Sequence, residues 1–171
     1  MSFSMSFSPS HFAMTAIHQM LKALDGILDK ASAHAQETGV EEAVYLNWRL
    51  TPDMFPMVRQ VQIATELPAR GMARLAGAEL PSFPDTETSF AALKARVKNI
   101  RAFIDAIDIT AIDKDPEDML TFPAGGGEMQ MQRKAYLTDF ILPNLYFHTS
   151  TAYGLLRAAG VPLGKRDFLA L

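Results

Sequence analysis

The chain has 171 residues, with 16 Lys and Arg against 19 Asp and Glu, a formal charge of −3 and no cysteine. That length suits a single domain over residues 1–171 with a self-sufficient core, and the scattered basic residues exclude the electrostatic footprint of a nucleic-acid binder. The lack of cysteine excludes disulfides, thiolate nucleophiles and Cys-type zinc sites, and it fits a reducing cytoplasm.

Residues 1–8 alternate Ser with Met and Phe and lack both a basic region and a continuous apolar core, so they read as a frayed start and not as a signal peptide. No stretch approaches the ~20 uninterrupted apolar residues that span a bilayer, which predicts a soluble protein without membrane contact. The first helix is predicted over residues 9–37. Ser8 serves as its N-cap, Pro9 takes the first helical position and Gly39 lies just past the end. Ala13, Ile17, Met20, Leu24, Leu28 and Ala31 form its buried stripe. A helix of roughly 40 Å favours an all-α fold.

A short helical turn is expected over residues 41–46, followed by a dense link over residues 47–52. Asp53 then reads as the N-cap of a second helix over residues 54–76. Met54, Met57, Val61, Thr65, Pro68, Met72 and Leu75 lie on its seam, with a kink at Pro68 and a stop at Gly77. A third helix is predicted over residues 87–107, entered from Thr86. Its stripe is Phe90, Leu93, Val97, Ile100, Ile104 and Ile107, and Lys94, Arg96, Lys98 and Arg101 read as a solvated face. Between residues 108 and 132 the helical period breaks. Residues 119–122 and 128–131 flank a Gly-rich turn, which predicts a small hairpin or irregular flap and not a phosphate loop. The last helix is predicted over residues 133–159 with a bend at Pro143, and Val161, Leu163 and Phe168 predict a packed tail.

The core line of that last helix is Leu137, Ile141, Asn144, His148, Ala152, Leu155 and Ala159, so a polar pair, Asn144 and His148, interrupts an apolar seam. Three roles are open to His148: a core histidine bonded to Asn144 or Thr151, a pocket histidine that orients a small ligand or acts as general base, or a metal ligand. In the link, Arg49 is expected to pair with Asp53, and Gln60 shares a helix edge with Asp53. If that edge faces the last helix, Asn47, Arg49, Gln60, His148 and Tyr153 surround one cavity. The ligand-binding candidates are then Asn47, Arg49, Gln60, Asn144, His148 and Tyr153, and His148 is the catalytic candidate. His11, His18 and His34 default to solvent or partner contact, and Met54, Met57 and Met72 to core filler.

Two stretches carry a family resemblance. One is Leu46-Asn47-Trp48-Arg49-Leu50-Thr51-Pro52-Asp53-Met54-Phe55-Pro56 with Gln60 following. The other is Asn144-Leu145-Tyr146-Phe147-His148-Thr149-Ser150-Thr151-Ala152-Tyr153-Gly154-Leu155-Leu156-Arg157, with Gly164-Lys165-Arg166-Asp167-Phe168 closing the chain. Together they resemble an uncharacterised bacterial domain-of-unknown-function family allied to the DinB/YfiT-like superfamily of metal-dependent four-helix bundles. The resemblance implies an up-down-down-up bundle with one long crossover, assembled as a homodimer. It also implies a divalent metal held by three histidines, one at the start of the second helix and two spaced His-x-x-x-His on the last. Here His148 matches one of these, Asn144 and Ala152 stand four residues to either side, and no histidine occurs between Leu50 and Ala76. One imidazole falls short of the ligand set that zinc or nickel requires, so no cofactor is expected, with His148 the ligand if there is any. The resulting expectation is a cytoplasmic, homodimeric DinB-like bundle whose degenerate, metal-free site binds a small organic ligand. The alternatives are a thiol-dependent transferase or isomerase that uses His148 as metal ligand or general base, and a purely structural homodimer.

Overall fold

Four long helices carry the core of residues 7–171, the part of the chain that the computed structural model describes; residues 1–6 of the expected frayed start lie outside it. Helix α1 (Pro9–Thr38) opens with Ser8 Oγ accepting the His11 amide at 3.2 Å and closes at Gly39, whose φ of +67° is a left-handed conformation open to glycine. Its predicted stripe from Ala13 to Ala31 is buried throughout. Helix α2 (Glu42–Leu46) turns Tyr45 and Leu46 inward.

Helix α3 (Met57–Ala76) begins three residues later than the sequence predicts, and Asp53 does not cap it. The cause is Pro56, which biases Phe55 toward extended backbone and whose own carbonyl accepts the Gln60 amide at 3.1 Å. Asp53 belongs instead to a separate turn, where its carboxylate accepts the Thr51 hydroxyl at 2.6 Å. That bond, with the Asp53 backbone amide, holds its carboxyl below the ordinary aspartate range. Pro68 is buried inside α3 without dividing it. Helix α4 (Phe90–Asp105) also starts late, because Ser89 is its N-cap and accepts the Ala92 amide at 3.1 Å.

After a 3₁₀ turn (Ile109–Ala111), strands β1 (Met119–Ala124) and β2 (Gly127–Gln132) form an antiparallel hairpin with Ala124 opposite Gly127. Gly125 and Gly126 make the two-residue loop at φ +60° and +83°, the primed geometry that matches strand twist. Phe122 anchors the hairpin, with its ring 4.4 Å from that of Tyr136 and 4.8 Å from that of Phe140.

The expected last helix is a composite: α5 (Arg133–Ala135), a π-helical turn (Tyr136–Ile141) and α6 (Leu142–Ala158). Pro143 has no amide hydrogen to continue the regular ladder, and the chain widens immediately before it. Helix α3 packs against α4 and α6, and α1 against the same two. At Gly71 the Ile141 side chain lies against the helix backbone, where a Cβ would sit 2.5 Å from Ile141 Cδ1. A final turn, α7 (Lys165–Phe168), docks the tail on α1. There Gln19 and Lys22 donate to the carbonyls of Leu169 and Ala170 at 3.1 and 2.9 Å, and Lys30 pairs with Asp167 at 2.7 Å. Among the described residues no helix is long and apolar enough to cross a membrane.

Arg96 overturns the expected solvated face of α4: it is 4% exposed. Its Nε donates to Thr65 Oγ1 at 3.0 Å, and its terminal nitrogens reach Glu87 at 2.9 Å, Asp85 at 3.2 Å and Glu66 at 3.4 Å. A single guanidinium thus ties the segment between α3 and α4 to both helices. Burial alone would raise the Glu87 carboxyl, but hydrogen bonds from Arg96 and Gln62 and the Arg96 charge outweigh it and leave Glu87 below the usual 4.5. Arg96→Ala is expected to lower the unfolding free energy by about 1.5–3 kcal/mol, because the charged hydrogen bonds to Glu87 and Thr65 are lost, and Arg96→Lys by less. Urea denaturation measures both. Because the folded value of Glu87 is depressed, its contribution is complete above about pH 4.5 and fades as pH falls through that lowered value. Arg96→Ala should remove this acid limb.

Candidate functional site

Packing of α3 on α6 brings Gln60 and His148 together, with Nδ1 2.7 Å from Gln60 Oε1 and the imidazole residue 9% exposed. The far end of the amide settles the proton. Gln60 Nε2 donates to the Phe55 carbonyl at 3.0 Å, so Oε1 is the acceptor and His148 Nδ1 carries the hydrogen. Nε2 is left with its lone pair. It bonds to none of the described residues and is not among the enclosed atoms that lack partners, so solvent reaches it. Burial first, and then the positive charge of Arg59, push the His148 pKa below 6.5, which keeps the ring neutral at neutral pH.

The surroundings are aromatic and cationic. Phe147 stands edge-on to the imidazole with centroids 5.1 Å apart, and the Arg59 guanidinium lies 5.9 Å from the centre of the Phe55 ring while pairing with Asp85. Phe55 and Phe147 are both more than half exposed. The centre is therefore a neutral hydrogen-bond acceptor beside the accessible Phe147 ring, with the Arg59 cation near enough to act on it and the Phe55 ring against Arg59. Arg59, Phe55 and Phe147 escape a reading that follows only the buried stripe. The signal available for them is their adjacency to Gln60, to the turn before α3 and to His148.

The other candidates go elsewhere. Asn144 is half-buried and donates to the Phe140 carbonyl at 2.8 Å, serving the π turn and not His148. Thr151 donates to the Phe147 carbonyl at 2.7 Å, so the expected partners of His148 are replaced by Gln60. Asn47 donates to the Ala43 carbonyl at 2.8 Å and closes α2. Arg49 does not pair with Asp53; it donates to the Pro52 and Met54 carbonyls, each at 3.3 Å, and braces the turn. Tyr153 meets Phe168 of the docked tail, with ring centroids 6.1 Å apart. Of the five residues expected around one cavity, the structure joins Gln60 and His148. His18 is not left to solvent, since its Nε2 lies 2.9 Å from Asp105. His34 packs edge-on against Tyr45, and His11 against Phe7.

The family model for a domain of unknown function, DUF1993, matches residues 11–169. A crystal structure of a DinB family member protein from Shewanella denitrificans is similar at 35% sequence identity and a TM-score of 0.84, over 91% of this chain and 88% of that one. No curated protein matches the chain. The fold relationship raises a divalent metal, and the residues do not fit one. The site offers a single imidazole, and among the described residues no three His, Asp or Glu side chains converge to hold an ion.

NMR titration of the His148 ring should give a midpoint below 6.5, and Arg59→Met should move it upward. A midpoint at or above 6.5 in the wild type would contradict the buried, neutral assignment. Since the folded value lies below the unfolded one, the histidine contributes full stability above about pH 6.5, and that contribution is lost as pH falls through the lowered value. Urea melts of His148→Gln should lack this component.

Proposed function

We propose, for a chain that belongs to the DUF1993 family, a DinB-like four-helix bundle with one long crossover that works in the cytoplasm without a resident metal and offers its His148–Gln60 centre to a small organic ligand. The observation that carries this reading is the 2.7 Å bond between Nδ1 and Gln60 Oε1. It supports a fixed tautomer in which Nε2 is a neutral acceptor facing solvent. A ligand hydroxyl or amide N–H would donate to Nε2, while its apolar part rests against Phe55 and Phe147. Arg59, held by Asp85, favours a polar or anionic substituent on the same ligand. A neutral imidazole in that position also suits proton abstraction from a bound group, which keeps base catalysis within the scope of the site.

A thermal-shift panel of small organic molecules is expected to include compounds that raise the melting temperature of wild type by several degrees and leave His148→Ala unmoved. Equal responses from both proteins would take His148 out of the site. Metal analysis after dialysis is expected to find no stoichiometric zinc or nickel, and a retained ion would overturn the metal-free reading.

We also propose that two copies associate. Large apolar side chains crowd the start of α3 and the exposed side of α6: Leu50 is 67%, Phe147 56% and Phe55 55% exposed. The Met57 amide bonded to the Trp48 carbonyl at 2.9 Å brings half-exposed Trp48 to the same end of α3. Light scattering should report a dimer for wild type and a monomer for Leu50→Glu combined with Phe147→Glu. A monomeric wild type at micromolar concentration would dismiss the association.

A further inference from the structure

Arg133 opens the last helical run and is 7% exposed. Its Nη2 donates to the carbonyls of Leu75 at 2.8 Å, Ile112 at 2.9 Å and Ala111 at 3.4 Å, which closes the carboxyl end of α3 and the adjoining 3₁₀ turn. The rest of the guanidinium is unmatched. Nε is enclosed without an acceptor, and Nη1 donates to none of the described residues. The contrast with Arg96 is chemical: both side chains are buried, but Arg96 has three carboxylates within reach, whereas no ion pair to Arg133 forms among the described residues. A buried guanidinium without a counter-charge is costly, and carbonyl dipoles on one nitrogen offset only part of that cost.

Arg133 lines a cavity of about 240 Å³ whose apolar walls include Phe12, Leu75, Ile112 and Leu137, with Lys114 as a further cation. Lys134 also lines it but is paired with Glu117. A protein cavity of about 150 Å³ holds benzene, so this space admits a ring or a short acyl chain together with one charged group. It lies roughly 22 Å along α3 from Gln60 at 1.5 Å per residue, remote from the His148 centre. We propose that this cavity binds a small monocarboxylate with an apolar body of about six to eight carbons, its carboxylate accepting from Arg133 Nη1 beside Lys114 and its body against Phe12, Ile112 and Leu137.

Calorimetric titration of the full chain with benzoate and hexanoate tests this, with benzyl alcohol and sulfate as comparators and methyl NMR of Leu75, Ile112 and Leu137 to locate the ligand. The expected result is saturable one-to-one binding of the carboxylates, with shifts confined to those methyl groups. The alcohol and sulfate should each bind at least tenfold more weakly. Arg133→Met should abolish the preference for carboxylate over alcohol. Because Arg133 also braces α3, Lys114→Glu on the exposed rim provides a second variant that should weaken carboxylate binding severalfold while the fold is retained. Equal affinity for alcohol and carboxylate, sulfate binding as tightly as benzoate, methyl shifts elsewhere, or no saturation at millimolar concentration would each overturn the proposal.

Discussion

An imidazole and a primary amide buried between two helices need each other, since either one left alone would sit out of water with an unmet hydrogen bond. The His148–Gln60 contact resolves this, and Gln60 extends the solution by giving its amide hydrogen to the Phe55 carbonyl. The turn before α3, the first turn of α3 and the middle of α6 are thereby joined through one chain of polar groups. That chain determines the chemistry on offer. The nitrogen facing the protein is a donor, the nitrogen facing outward is an acceptor, and the aromatic side chains on either side belong to the same two segments. A histidine anchored in this way presents Nε2 in one tautomer and one direction.

Helix α3 is held at two levels by guanidinium groups that come from other elements. Arg96 of α4 reaches Thr65 and Gln62 in the first half and gathers carboxylates from the segment between the helices, while Arg133 engages the Leu75 carbonyl near the end. The two differ in how their charge is balanced. Arg96 is surrounded by acids, which makes it a closed structural unit. Arg133 has helix-end carbonyls on one nitrogen, an arrangement that steadies the backbone at the wall of a mostly apolar hollow without a carboxylate partner among the described residues.

The long helices, the hairpin and the inward face of His148 were legible because each follows from a period or a local steric rule. The stripe from Ala13 to Ala31, the Ser8 cap and the positive φ at Gly39 and Gly77 all come from residues within one or two turns of each other. Gln60 was legible only as a conditional neighbour of His148, through an edge shared with Asp53 that α3 does not include; its contact with His148 comes from the packing of α3 on α6. What escaped depends on competition or on distance along the chain. Asp53 is a good cap by type, but Pro56 lies between it and the helix and prevents a continuous start. Arg96 borders the α4 stripe, yet its burial rests on acids at positions 66, 85 and 87, whose convergence appears only once α3 and α4 are packed. Asn144 has the spacing of a core partner for His148, but the nearby carbonyl of Phe140 is a closer acceptor.

The widened turn between α5 and α6 has an angular meaning. A regular helix advances about 100° per residue, so admitting one extra residue into a turn rotates everything beyond it by about that much relative to what came before. Arg133 lies upstream of the widening and His148 downstream. Their separate destinations, one beneath the end of α3 and the other beside its beginning, follow from the rise of the rod, about 1.5 Å per residue. The widened turn acts on the other coordinate, the direction each side chain takes around the axis, and both end facing α3.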